Sequence, residues 1–252
     1  MGEQAESAAG YHIIWGTKYI GESVSPKRPK ETLNMVDNTT HDALAANGGY
    51  ETKSSGTITM ANGALKIYYI GSAVHKSLRT DFKAKTERTC YFIRPSSGAL
   101  AFTGFKFDAK ISSFDEPIDP KGNITWEMEV TPTSGMTDIE TPAGGLTTPF
   151  FTIADDDTPT PNPITPVPAA AAAVYAYEVE LYSDTATFTI TPTATTGSIY
   201  VDGTLVVSGA ASGAITAPAA GKKMYLPIVV FETGKVPKPY LLVVKKGPVA
   251  HP

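Results

Sequence analysis

The side chains of this 252-residue chain that could carry chemistry are scattered rather than gathered. Glu127 and Glu129 lie two apart in an alternating run, so they share one face of a strand, as a paired general acid and base would. No partner base, nucleophile or oxyanion donor accompanies them in the sequence. Asp115, Glu116 and Asp119 cluster in a proline-containing turn, and Asp155, Asp156 and Asp157 are consecutive. Both groups have the oxygen chemistry to hold a hard cation such as calcium, and both are also what a solvated turn or linker entrance needs. The four histidines, His12, His41, His75 and His251, are dispersed, and His41-Asp42 has no third ligand nearby. A phosphate-cradling glycine loop requires a strand before it and a helix after it, a context this chain lacks. Asn38-Thr39-Thr40 and Asn123-Ile124-Thr125 match the glycosylation acceptor pattern but read as accidental without a secretory leader. These residues predict no catalytic centre, no cofactor and no metal site, and hence a protein that is not an enzyme.

Composition points the same way. Hydrophobic residues make up 42%, enough for real cores, while charged residues are only 18%. Thr, Gly, Pro and Ala are abundant, a profile that suits β-structure better than long amphipathic helices. A net charge of −4 gives no basic field for gripping phosphates, although it is compatible with nucleic acid sliding past. The single cysteine, Cys90, excludes an intramolecular disulfide and a cysteine-based zinc site within one chain. It sits in a β-like run and reads as a small buried hydrophobe. No apolar run has transmembrane length, and residues 1–10 have neither a basic region nor an apolar core of a signal peptide. The expectation is synthesis in a reducing cytoplasm, which the resemblance described below would make that of a bacterial host, and no membrane insertion.

The elements that must position these residues are short and mostly β. Residues 1–10 read as a flexible arm and residues 11–150 as an N-terminal body. Within that body, 11–20 form a strand with a tight turn at Gly16. The stretch 25–56 reads as a long loop, rich in Gly, Pro and Thr and poor in apolar anchors, that orders on a partner. Thr57–Met60 and Leu65–Ile70 flank Ala61-Asn62-Gly63-Ala64, a hairpin signal. Val74, Leu78 and Phe82 recur every four residues and predict one helix over 73–85. Strands follow at Thr89–Arg94, Ala101–Phe114 and Asn123–Thr131, the last with Ile124, Trp126, Met128 and Val130 facing inward. Five prolines between Pro159 and Pro168 then predict a semi-rigid spacer within a linker over 151–173. Residues 174–248 carry short strands at regular spacing, with Asp202-Gly203 as a hairpin turn, and residues 249–252 form a tail. The predicted fold class is mainly β: an N-terminal β-sandwich or barrel with one short helix, and a C-terminal immunoglobulin-like β-sandwich.

Two blocks resemble known families. The N-terminal body resembles the major tail tube proteins of long, non-contractile-tailed bacteriophages of the siphovirus, lambda-type group. The likeness is carried by an opening strand and a long loop with Asp37-Asn38-Thr39-Thr40-His41-Asp42. It is also carried by the helix around Val74–Phe82 leading into Thr89–Arg94. The third block is Phe102-Thr103-Gly104-Phe105-Lys106-Phe107, then Ile111-Ser112-Ser113-Phe114, an acidic-proline turn and the strand Asn123–Val130. The C-terminal module resembles bacterial Ig-like and cadherin-like domains through Gly197–Gly203, Val207-Ser208-Gly209 and Tyr240–Val244.

The resemblance implies a structural virion protein whose hexameric rings stack into a tail tube that conducts DNA during ejection. It implies self-association as the principal partnership, with tape measure, tail terminator and tail tip proteins as further partners, and only transient, non-specific passage of DNA. The loop with Asp37, Thr39, Thr40, His41, Asp42 and Tyr50 would reach an adjacent subunit or ring. Glu127 and Glu129 would be acidic lumen-facing residues that repel phosphate. The Ig-like module would project from the tail exterior, in possible contact with host-surface glycans. The competing class is a bacterial surface adhesion module with an Ig-like domain, which would not polymerise. A glycosidase with a carbohydrate-binding sandwich would need a spaced carboxylate pair and exposed stacking aromatics; of the two Trp, Trp126 lies in a buried pattern.

Overall fold

The computed structural model describes residues 12–22, 27–37, 53–68, 73–94, 103–116, 125–156, 163–169 and 175–250. The chain is mainly β, as predicted, with one helix among the described residues. The N-terminal body contains β1 (His12–Trp15), β2 (Lys18–Glu22), β3 (Glu31–Asp37), β4 (Lys53–Met60), β5 (Gly63–Tyr68), α1 (Ala73–Ala84), β6 (Arg88–Arg94), β7 (Thr103–Asp115), β8 (Thr125–Pro132) and β9 (Thr137–Ile139). Its main sheet runs β2-β1-β6-β7-β8-β5, with β9 pairing β7 off that path. The sheet curls, so that its two edge strands β2 and β5 approach each other.

Alternation sets what the curl encloses. Cys90 and Phe92 on β6 stand opposite Phe107 and Phe105 on β7. The Phe92 and Phe105 rings stack with centroids 5.0 Å apart. Ile13 and Trp15, Leu65 and Ile67, and Trp126, Met128 and Val130 complete this core from β1, β5 and β8. The helix adds Leu78 to the same cluster. It ends where Lys85 turns to φ 55° and the Thr86 N–H returns to the Asp81 carbonyl at 2.9 Å, an αL-type stop. Asp81, nearly buried, ties the helix to the sheet. It accepts from Trp15 Nε1 at 3.0 Å and from the Arg88 guanidinium at 3.1 and 3.3 Å.

The second body comprises β10 (Phe151–Asp155), β11 (Pro163–Ile164), β12 (Ala176–Leu181), β13 (Thr187–Pro192), β14 (Ser198–Val201), β15 (Thr204–Val206), β16 (Ile215–Thr216), β17 (Lys223–Phe231) and β18 (Lys238–Lys246). Two sheets, β11-β10-β13-β16 and β12-β18-β17-β14-β15, face each other. Alternate residues from both, among them Phe151, Ile153, Phe188 and Ile190 on one side and Val179, Ile228, Val230 and Leu242 on the other, fill the space between. Asp202-Gly203 makes the β14–β15 hairpin, with φ of 47° and 79°, the double left-handed geometry that Asp-Gly favours. The Tyr240 hydroxyl is buried and accepts from the Leu146 N–H at 3.0 Å; burial pushes its pKa up to about 12.

Three expectations are corrected by the backbone. First, Ala61–Ala64 is not a hairpin turn: β4 pairs with β3, and β5 pairs with β8. Gly63 is the first residue of β5, with Pro29 about 3.1 Å from where a Cβ would sit, and it is not among the glycines with positive φ that a two-residue hairpin needs. Second, the stretch 25–56 is not all loop, because Glu31–Asp37 and Lys53–Gly56 belong to strands. Third, the proline-rich stretch is not a free spacer where it is described. Pro163–Ile164 pairs with β10 in one sheet, and Val167 bridges Glu178 of β12 in the other. The chain changes sheets there, at edge positions where a missing N–H costs little. Phe150, Phe151 and Ile153 likewise pack in the second core rather than in a linker.

Nor does the second body stand at arm's length. Ile14, Tyr19, Ile93 and Ile139 of the first body and Val229 and Val236 of the second form a buried cluster between them. These residues lie on the faces of β1, β6 and β17 opposite the main cores. A pair of backbone bonds, Ala143 N–H to Val236 O and Val236 N–H to Thr141 O, pins the junction.

Candidate functional site

The described residues hold no cluster of three or more His, Cys, Asp or Glu that could bind a metal ion. The acidic groups singled out in the sequence have local structural tasks. Asp156 accepts from the N–H groups of Ala186 and Thr187 at the start of β13. Glu116 reaches Arg79 at 3.5 Å, and the Asp115 carboxylate accepts from the Glu116 N–H. Asp119 and Asp157 lie outside the described residues, as do His41 and His251. His12 contacts the Tyr19 hydroxyl through Nδ1 at 2.9 Å. Cys90 is fully buried, and burial raises its thiol pKa far above the ordinary range, so it packs as a hydrophobe. No helix among the described residues is long and apolar enough to cross a membrane.

What the fold leaves uncovered is β-structure. The strands β3 and β4 pair with each other and with no other described strand, forming a two-stranded ribbon. Thr32 faces Thr59 across it and Leu33 faces Ile58, so the two aliphatic side chains share one face. That pair is 47% and 65% exposed. A bulge between Leu33 and Met35 then shifts the register. Of the sequence-predicted contact residues, Asp37 ends β3, paired in register with Lys53. Thr39, Thr40, His41, Asp42 and Tyr50 lie outside the described residues. The sequence reading missed Leu33 and took Ile58 into a different hairpin. The signal was the β-forming run Thr-Ile-Thr-Met and its match in Thr32-Leu33, obscured by the prolines at 26 and 29.

The second exposed region is the outer face of β5 and β8. Glu127 forms an ion pair with Lys66 across the β5–β8 ladder, both side chains being a little under half exposed. Glu129 is exposed, flanked in register by Ala64 on one side and Ser113 on the other. Glu127 and Glu129 thus share a face as predicted, but Lys66 offsets the charge of one. This flank is separated from the β1 and β6 flank, where the second body sits, by β7 in the sheet order. The main sheet's edges are unequally protected. Lys27 exchanges backbone bonds with Ala64 along the outer side of β5, at 2.8 and 3.0 Å, whereas among the described strands β2 pairs with β1 alone.

A third feature is a cleft of about 550 Å³ where the two bodies meet, lined by Thr17, Thr89, Tyr91 and Lys106 from the first and by Tyr200, Phe231 and Lys235 from the second, among others. Glu232 at its margin is held below the usual carboxylate range by Lys235 and by the Gly144 N–H.

No protein-family model matches the chain, and no curated protein matches it. Among solved structures, a chain of the "Virion of native gene transfer agent (GTA) particle" is similar over 54% of this chain and 98% of its own length, with 14% identity and a TM-score of 0.41. A likeness that remote assigns no role, and the functional reading rests on the surfaces described above.

Proposed function

We propose that this chain is a structural virion protein whose copies close into six-fold rings, the rings stacking into a bacteriophage tail tube that passes DNA. The observation that carries this reading is the β3–β4 ribbon. A two-stranded sheet is by itself marginal in water, and this pair, which no other described strand joins, exposes Leu33 and Ile58 side by side. Lying against a neighbouring subunit would bury both. Ring closure would also bring a neighbour to the side of β2 that no described strand pairs, the kind of edge that invites uncontrolled pairing.

The placement of the two flanks supports the same arrangement. With the second body outward on β1 and β6, the β5–β8 face with Glu127 and Glu129 turns toward a central channel. Glu129, with no ion-pair partner among the described residues, would keep phosphates from adhering there. The second body's strand order, with β12 parallel to β18 and the β14–β15 hairpin at one edge, supports the reading of an Ig-like module displayed on the tail exterior. Tape measure, terminator and tip proteins would be the further partners, and the mature location would be the virion.

Negative-stain electron microscopy of the purified chain, before and after concentration, tests the proposal. Rings or hollow tubes of uniform diameter are expected. A monodisperse monomer at every concentration, unchanged on adding tail-tip fractions, would overturn it and favour the adhesion module.

A further inference from the structure

We propose that the cleft between the two bodies binds a short β-linked oligosaccharide of gluco-configured rings. Three partly exposed aromatic rings form one strip along it. Phe231 meets Tyr91 edge-on at 5.8 Å and Tyr200 edge-on at 5.4 Å, so the strip spans β6 of the first body and β14 and β17 of the second. Tyr91 and Phe231 rest on the junction cluster, and with Tyr200 they leave an apolar strip in one concavity, a surface a ligand can cover. The cleft's volume of about 550 Å³ falls in the ordinary ligand range of roughly 300–1,000 Å³.

The polar lining selects the ligand class. Thr17, Thr89, Ser198 and Thr233 bring hydroxyls that both donate and accept. The cations are mostly engaged: Arg88 is committed to Asp81 and Lys235 to Glu232. Lys106 alone has no ion-pair partner among the described residues, too little positive charge to hold a phosphate diester. Aromatic edges and faces beside mixed donors and acceptors, with charges balanced, suit a ring that has apolar C–H faces and hydroxyls around its rim. Gluco-configured β-linked sugars present such faces on successive rings. Because the cleft draws residues from both bodies, the junction cluster of Ile14, Ile93 and Val229 is what holds the two halves of the site in register. Occupation of the cleft does not depend on ring assembly.

The test is isothermal titration of the full chain with cellotriose and with chitotriose. At least one is expected to bind with a Kd between about 10 μM and 10 mM. Tyr200→Ala is expected to weaken that binding about tenfold, the upper end for loss of one aromatic contact. Lys106→Ala, which leaves the aromatic strip in place, should weaken it about threefold, and Lys76→Ala on α1 should change nothing. Absence of heat with both sugars at high concentration would overturn the proposal. So would binding that neither Tyr200→Ala nor Lys106→Ala alters.

Discussion

The two bodies of this chain solve the same problem to different degrees. The C-terminal sandwich closes its two sheets on one shared core, from Phe151 and Ile153 to Leu242 and Val244, and its proline-rich edge is tied into both sheets. The N-terminal body closes a core as well, but holds out a ribbon to which no other described strand pairs. Its α1 is fixed by a buried carboxylate rather than by apolar contacts alone. The second body also leaves aliphatic side chains in water, Leu205 and Val207 among them, so the difference lies in the ribbon, whose two paired strands would be finished by assembly in the proposed ring. The ribbon is why the proposed self-association is placed in the first body and the proposed display in the second.

The sharpest way to break that comparison is to charge the ribbon. Leu33→Asp and Ile58→Asp place a carboxylate on the exposed aliphatic pair. Rings and tubes should be lost entirely by electron microscopy, while thermal stability of the monomer should move by no more than about 0.5 kcal/mol, because both sites are solvent-exposed there. A variant that unfolds the monomer would show that the ribbon supports the first body itself. A variant that assembles normally would remove the ribbon from the interface.

Next in size is Phe92→Ala. The ring is fully buried between Phe105 and Phe107, so its removal should cost about 3–5 kcal/mol, read as an early transition in calorimetry. If the two bodies melt separately, only the transition of the first should move. A single transition that shifts as a whole would show that the junction cluster couples them into one unit.

Asp81→Ala should cost less, about 1–3 kcal/mol, since it leaves the Trp15 N–H buried without its acceptor. Arg88, partly exposed, recovers water. Asp81→Asn keeps an acceptor for Trp15 and should restore part of the loss. Equal losses in both variants would mean that the ion pair, and not the indole bond, holds the helix.

These sites also show what was legible in the sequence. Alternation and Asp-Gly placed the strands around Trp126, Leu226 and Leu242 and the β14–β15 turn, because half-buried strands write their pattern with period two. The four-residue spacing of Val74, Leu78 and Phe82 gave the helix. The ribbon was hidden because its strands pair across an interval of poorly patterned chain, and Asn62-Gly63 offered a nearer partner. Local turn signal lost to the long-range ladders β3–β4 and β5–β8. The prolines at 163–168 read as a semi-rigid spacer because they lack donors, but donor loss alone does not separate a free spacer from edge backbone that switches sheets. Asp81 carried no signal at all: a single acidic residue on an amphipathic helix reads as solvated until Trp15 and Arg88 are seen beside it. The cleft was equally silent, since Tyr91, Tyr200 and Phe231 come from three strands and two bodies.

The smallest expected effect is the most diagnostic of how the second body is finished. Asp202 sits at the first left-handed position of its hairpin with one carboxylate oxygen buried and without a hydrogen-bond partner. Burial raises its pKa, and Lys18 of the first body offsets only part of that. In the unfolded chain an aspartate ionises near about 3.9. Below that pH both states are neutral and the site costs nothing. As pH rises from there through the higher folded-state value, the folded chain bears the cost of a poorly solvated charge, which persists at neutral pH. Asn is neutral throughout and suits the same Asn-Gly turn. Asp202→Asn should therefore raise the melting temperature at neutral pH by an amount equivalent to less than about 1 kcal/mol, and the gain should shrink toward zero near about pH 3.5. An equal gain at both pH values would assign the effect to turn preference alone. A loss at neutral pH would show that the attraction to Lys18 across the junction outweighs burial, making Asp202 a contact that holds the two bodies together.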